Sequence, residues 1–263
     1  MGLLSMIYRL SSLLGMPIYR SYLESVVREG PIPRHVALIL DGNRRFALRR
    51  GLSWVDGYRA GAAKTEELLR WLLELGVEHV TLYTFSTENF NRPKEQVEAV
   101  FKVLEEKMME LREKLDFLRE NGVSFRVIGR REMLPESLRE MVEELEALTS
   151  GFGGKTLNLA LAYGGRAEIV DAVREIARKV RDGSLEPEEV DDEVIRKHLY
   201  APDLPDPDLI IRTSGEERLS NFLLWQSAYS ELYFCEVYLP EMRKIDLLRA
   251  LRDYQRRKRR FGS

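Results

Sequence analysis

The chain of 263 residues is 44% hydrophobic and 32% charged, with 41 Lys and Arg against 43 Asp and Glu. That composition belongs to a globular protein with an ordinary core, and a net charge of -2 excludes a global basic field for nucleic acid. One cysteine, Cys235, rules out an internal disulfide framework and suits a reducing, cytoplasmic setting.

Residues 1–30 carry Leu3, Leu4, Ile7, Leu10, Leu13 and Leu14 at helical spacing. The run is too short and too polar to span a bilayer and lacks the basic start of a secretory signal. Met6 stands where a myristoylation motif needs Ser or Thr. Two readings stay open: a helix lying on a membrane surface, or one packed on the domain or on a partner subunit.

Six apolar runs follow: Val36–Leu40, Val80–Phe85, Ser124–Ile128, Leu157–Ala162, Leu209–Ile211 and Leu232–Val237. Most are continuous, as in strands covered on both faces. Helical spacing marks Ala60–Leu75, a long Lys94–Glu120, Glu136–Leu148 and Ala167–Arg181. Strands alternating with helices predict an α/β fold, one domain built on a mostly parallel sheet of six strands flanked by helices. Asp182–Asp208 is acidic and Pro-rich, and Arg256–Arg260 is a basic run that reads as a solvated or membrane-facing tail.

Three polar constellations fall at strand ends, where open α/β sheets bind ligands. Asp41-Gly42-Asn43-Arg44-Arg45-Phe46 follows the first strand. A carboxylate there can hold a hard cation such as Mg²⁺, Gly42 and Asn43 can turn backbone amides toward an anion, and paired arginines suit phosphate. Asp-Gly is also a common turn dipeptide. Ser86-Thr87-Glu88-Asn89-Phe90-Asn91-Arg92-Pro93 follows the second strand and doubles as the entry to a helix. The third runs from Arg212 through Arg218 and Ser220 to Asn221, with Glu231 beyond it as a candidate second metal ligand.

Some patterns are decoys. Gly151–Thr156 ends in Gly-Lys-Thr but precedes a strand and lacks the first glycine of a phosphate loop. Asp191-Asp192 reads as helix-start acidity, and the three histidines form no ligand pattern.

The segments His35–Ala47, Thr81–Pro93, Leu157–Ala160, Tyr163–Arg166, Ile211–Glu216, Arg218–Gln226 and Tyr229–Phe234 together resemble the cis-prenyltransferases, typified by undecaprenyl diphosphate synthase. The resemblance spans about residues 34–262 and includes the Arg-x-Gly ending at Gly262. It implies a hydrophobic tunnel in the α/β fold, a homodimer, and Mg²⁺-dependent condensation of isopentenyl diphosphate with an allylic diphosphate primer such as farnesyl or geranylgeranyl diphosphate. The product would be a long-chain cis-polyprenyl diphosphate, the precursor of a glycosyl carrier lipid. Residues 1–30 would form an N-terminal extension and residues 31–263 the catalytic domain.

The same resemblance assigns roles. Asp41 would bind Mg²⁺, with Glu231 completing the metal site from the other subunit. Gly42, Asn43, Arg44, Arg45, Phe46, Phe90 and Arg92 would surround the allylic substrate, and Asn89 with Ser86 would assist proton removal. Arg212, Arg218 and Ser220 would bind the diphosphate of isopentenyl diphosphate, with Thr87, Glu88 and Leu219 also counted as substrate-binding. Arg44 and Phe46 differ from the Gly and Trp common in bacterial members and look archaeal or eukaryotic. Trp54 and Tyr58, in the outer allylic pocket, stand where bacterial members carry Arg and His.

Overall fold

The computed structural model describes the backbone of residues 3–257 and side chains from Met16 onward. Elements follow in the order α1 (Leu3–Glu29), β1 (His35–Ile39), α2 (Asn43–Arg50), α3 (Trp54–Glu74), β2 (His79–Ser86), α4 (Lys94–Glu113), α5 (Leu115–Glu120) and β3 (Val123–Ile128). Then come α6 (Glu136–Thr149), β4 (Lys155–Tyr163), α7 (Gly165–Arg181), α8 (Asp192–Lys197), β5 (Leu209–Arg212), β6 (Glu231–Phe234) and α9 (Lys244–Arg256). The Arg-x-Gly ending and most of the basic run lie outside the described residues.

The six strands form one sheet in the order β3-β4-β2-β1-β5-β6, and every pairing is parallel. Every residue of β1 is buried, which is why it reads as an unbroken apolar run. One face, with Val36, Leu38, Val80 and Leu82, packs with side chains of α1, α3, α4, α6 and α9. The other, with Ala37, Ile39, Tyr83 and Tyr163, is covered by Tyr200, Leu219, Phe222 and Leu223.

The second half of α1 docks on α9. Leu23 and Val27 are fully buried, each worth roughly 1.5–3 kcal/mol of burial, and Gln255 Nε2 donates to Val27 O at 2.8 Å. Ile18 and Tyr22 on the same helix stay exposed. Among the described residues no helix is long and apolar enough to cross a membrane.

Several elements depart from the sequence-based expectation. The long helix breaks at Lys114 into α4 and α5. Leu111, Leu115 and Leu118 keep helical spacing across the break; the first two pack against the core and Leu118 is buried, so the break is invisible in the pattern. The last strand ends at Phe234 because residues 235–237 bond to the loop after β5 instead, through Ser214 N to Val237 O and Gly215 N to Cys235 O, both 2.9 Å. Helices α2 and α9 have no counterpart in that expectation, and α3 begins at Trp54, before Ala60. Asp191 caps α8, accepting from Val194 N at 2.8 Å.

Candidate active site

The strand order changes direction at β1. Helical connections carry the chain from β1 toward β2 and β4, and then back to β5 on the other flank. Ligand crevices form at such switch points, beyond the carboxyl ends of the strands. The loops after β1, β2 and β5 meet there around a cavity of about 560 Å³.

Asp41 follows β1 by two residues. Gly42 takes φ +103°, and a Cβ there would sit 2.9 Å from Tyr238 Cβ, so only glycine turns the chain into α2. The first turn of α2 has no side-chain cap, and its positive end favours an anion. Asp41 Oδ1 accepts from Gly42 N at 2.7 Å and Arg45 Nη2 at 3.4 Å, and Oδ2 from Arg212 Nη2 at 2.8 Å. Burial by itself would raise the Asp41 pKa. The Arg212 and Gly42 hydrogen bonds and the Arg212 and Arg45 charges outweigh it and hold the carboxyl below its usual range.

Arg212 ends β5 and is 4% exposed. Its Nη1 donates to Ser220 Oγ at 2.7 Å and to Arg218 O. Arg45 reaches Ser214 Oγ at 2.6 Å and Glu216 Oε1 at 2.9 Å. Beyond β2, Asn89 Oδ1 accepts from Ser86 N at 3.2 Å. With that oxygen committed, Asn89 offers a ligand its NH₂ group, a donor and not a base.

Six cationic side chains line the cavity (Arg44, Arg45, Arg92, Lys107, Arg212 and Arg218) against two carboxylates, Asp41 and Glu216. Burial lowers the Arg92 pKa, with the nearby Tyr58 hydroxyl and Asp41 pulling it back only in part. The Tyr58 hydroxyl is itself buried and lacks a hydrogen bond of proper geometry. This surplus of positive charge, centred on the buried Arg212 and the half-buried Arg92, is a site for a polyanion.

Gly42, Asn43, Tyr58, Ser86 and Ser220 also line the cavity. Phe46, Trp54, Thr87, Glu88, Phe90 and Leu219 do not. Phe46 lies under Arg50, Trp54 opens α3, and Phe90 stacks edge-on with Phe85 at 4.9 Å. Thr87 donates to Glu88 Oε2, Glu88 Oε1 is bound by Asn221, and Leu219 packs on the second sheet face. Glu231 begins β6 in register with Leu209, at the opposite end of the strands from Asp41, and pairs with Arg257 at 2.8 Å. Within one chain Glu231 and Asp41 do not meet.

Lys107 was not anticipated. Its signal is a lone charge on the apolar stripe Leu104, Met108, Leu111 of α4.

A second cavity of about 540 Å³ adjoins the first and shares Leu40, Ala62, Thr65, Thr84, Leu104 and Lys107 with it. Leu69 and Leu73 of α3, Met108 and Leu111 of α4, Phe117 of α5, and Val80, Leu82, Phe125 and Leu157 of the sheet form its walls. It runs along β2 from Thr84 to Glu78, roughly 20 Å at ~3.3 Å per residue. The expected tunnel is therefore present, between α3, α4, α5 and the sheet.

No group of three or more metal-ligating side chains occurs among the described residues. Of the two carboxylates on the cationic basin, Glu216 is shared between Arg45 and Arg218, and Asp41 alone lies beside the first turn of α2. That fits Mg²⁺ held by a single carboxylate together with substrate phosphate oxygens, the usual mode for this ion.

A cationic basin opening onto an apolar channel defines an enzyme that grips a diphosphate head and houses a hydrocarbon tail. Residues 39–262 match the prenyltransferase family model of the undecaprenyl diphosphate synthases. The chain is 54% identical over 94% of its length to the tritrans,polycis-undecaprenyl-diphosphate synthase (geranylgeranyl-diphosphate specific) of Methanopyrus kandleri, covering 92% of that protein. It is 50% identical over 98% of its length to the enzyme of the same name from Thermococcus kodakarensis, covering all of it. Its fold matches the crystal structure of lavandulyl diphosphate synthase from Lavandula x intermedia in complex with dimethylallyl diphosphate. That match has a TM-score of 0.83 and 36% identity, and covers 88% of this chain and 99% of that one. The chain belongs to the cis-prenyltransferase family of undecaprenyl diphosphate synthases, and is a prenyl diphosphate synthase.

Proposed function

We propose that this enzyme elongates geranylgeranyl diphosphate with isopentenyl diphosphate to a cis-polyprenyl diphosphate of undecaprenyl size, the precursor of a glycosyl carrier lipid. One observation carries the reading: the cationic basin around Asp41 and the apolar channel share a wall. The archaeal relatives carry the same specificity in their names.

Asp41 and the first turn of α2, with Arg44, Arg45 and Arg92, receive the allylic diphosphate. Arg212, Arg218 and Ser220 receive the diphosphate of the isopentenyl unit. Asp41 would hold Mg²⁺, which when bound would supply charge neutralisation to the diphosphate. The allylic C–O bond breaks, and the arginines stabilise the charge that develops on the leaving group. The isopentenyl double bond forms the new C–C bond, and its adjacent carbon then loses a proton to a diphosphate oxygen. Asn89 orients that diphosphate through its NH₂ group, consistent with an amide's weakness as a base.

In the homodimer each Glu231 lies toward the partner's site, and the exposed Ile18 and Tyr22 of α1 touch a membrane surface. Residues 1–30 act as an extension to one catalytic domain, residues 31–263.

The test is to incubate the purified chain with Mg²⁺, labelled isopentenyl diphosphate and, separately, dimethylallyl, farnesyl and geranylgeranyl diphosphates, and to size the dephosphorylated products. Highest kcat/KM with geranylgeranyl diphosphate and an undecaprenyl product support the reading. A preference for a shorter primer overturns the primer assignment.

A further inference from the structure

We propose that Asn221 is a positioning residue that sets the spacing between the Asn89 turn and the loop carrying Arg218 and Ser220. The proposal rests on the assignment of that loop to isopentenyl diphosphate.

Asn221 ties its own loop to two other segments through three hydrogen bonds. Its backbone O accepts from Gly165 N at 2.7 Å, and its Oδ1 accepts from Arg166 N at 2.8 Å. It thereby supplies the acceptors for the start of α7, whose own N-cap Gly164 has no side chain. Its Nδ2 donates to Glu88 Oε1 at 2.7 Å. Among the described residues this is the hydrogen bond that joins the turn Thr87–Asn91 to the loop 213–224. The approach is close: a Cβ on Gly164 would lie 2.7 Å from Thr87 Oγ1 and 2.8 Å from Asn221 Nδ2.

The loop needs such a tie. Ser220, Asn221 and Leu223 take φ of +50°, +65° and +43°, a left-handed region costing about 1–3 kcal/mol per non-glycine residue unless its surroundings hold it. Asn tolerates it best. Ser220 is held from the other side, by Arg212 at its Oγ and by the Tyr83 hydroxyl at its carbonyl. A continuous chain of contacts therefore runs from Asp41 through Arg212, Ser220, Asn221 and Glu88 to Asn89. If the tie is lost, the loop relaxes toward ordinary φ and Ser220 leaves the cavity wall, while Asp41 and α2 stay in place.

The polarity of the tie can be reversed. Asn221→Asp keeps an acceptor for Arg166 N–H but sets two carboxylates face to face. Adding Glu88→Gln restores a donor–acceptor pair, with the amide now on residue 88. We expect Asn221→Asp to raise KM for isopentenyl diphosphate by about tenfold or more, the scale of one lost charge-assisted bond. KM for geranylgeranyl diphosphate and the thermal midpoint should change little. Asn221→Asp/Glu88→Gln should bring the isopentenyl KM back to within about threefold of wild type.

Arg218→Ala serves as the reference. If it raises KM for the allylic substrate instead, and Asn221→Asp follows it, the loop assignment fails while the tie stands. If Asn221→Asp leaves both KM values unchanged, raises both equally with a lower thermal midpoint, or is not rescued by Glu88→Gln, the proposal is overturned.

Discussion

Replacing Arg212 with Met isolates the contact on which the candidate site is built. The Arg212 side chain is 5% exposed and that of Asp41 is 32% exposed. Removing one partner of a fully buried ion pair costs about 3–5 kcal/mol; the exposure of Asp41 brings this to roughly 2–3 kcal/mol. Ser220 Oγ and Arg218 O lose their charged donor as well, adding about 1 kcal/mol. Arg212→Met is therefore expected to lower stability by roughly 3–4 kcal/mol and to abolish elongation. Asp41→Ala also abolishes elongation, so activity cannot separate the two. Stability can. Asp41→Ala leaves a buried guanidinium whose Nε already lacks a partner, and should cost about 2 kcal/mol. The double variant removes both charges and should fall short of the sum by about 2 kcal/mol. Urea unfolding of the four proteins at pH 7 measures this. Additivity within about 0.5 kcal/mol would refute the idea that the pair is energetically coupled. The sign with pH follows from the depressed Asp41 pKa. The coupling is complete above the unfolded carboxyl value, and fades as pH falls through the lower folded one.

Other consequences are equally direct. A Cβ on Gly61 would lie 2.1 Å from Asn43 Oδ1, so Gly61→Ala should displace Asn43, cost about 1–3 kcal/mol and raise KM for the allylic substrate. Steady-state kinetics alongside unfolding check it, and an unchanged KM argues against Asn43 at the substrate. His35 is buried, and that burial pulls its pKa down to about 4, against the Pro205 carbonyl. The unfolded chain takes up this proton near 6.5, so stability falls between about pH 6.5 and 4, by roughly 3 kcal/mol in total. His35→Gln should flatten that part of the profile relative to wild type, and parallel profiles contradict it. Leu111→Trp should plug the apolar cavity and shorten the product, which chromatography of the dephosphorylated chains would reveal.

The family explains which residues matter, yet the geometry redistributes them. Glu88 sits within the same motif as Asn89 but turns away from the cavity to Asn221. Phe90 turns into an aromatic cluster with Phe85 and Phe101. A 3₁₀ turn sends consecutive side chains in different directions, so membership of a motif could not say which of them face substrate. For Lys107 the converse holds. Nothing in its neighbourhood is a motif, and it reaches the basin because α4 crosses the junction of the two cavities.

The sequence by itself determined the α/β class, the six strands and the three polar loops at their ends. Central parallel strands are buried on both faces, and so announce themselves as apolar runs. Local pattern also placed Asp41 directly after its strand, which in the structure ends one residue earlier, at Ile39. Only the tertiary structure decided that the loops after β1, β2 and β5 converge, because the pairing of Val36 with Leu209 is a long-range contact that no local periodicity encodes. The same pairing register carried Glu231 to the far end of the strands, and long-range packing also fixed where α4 breaks and where α9 receives α1. Asp41 became more than a turn residue when Arg212, remote in sequence, was brought to 2.8 Å from it by the strand order.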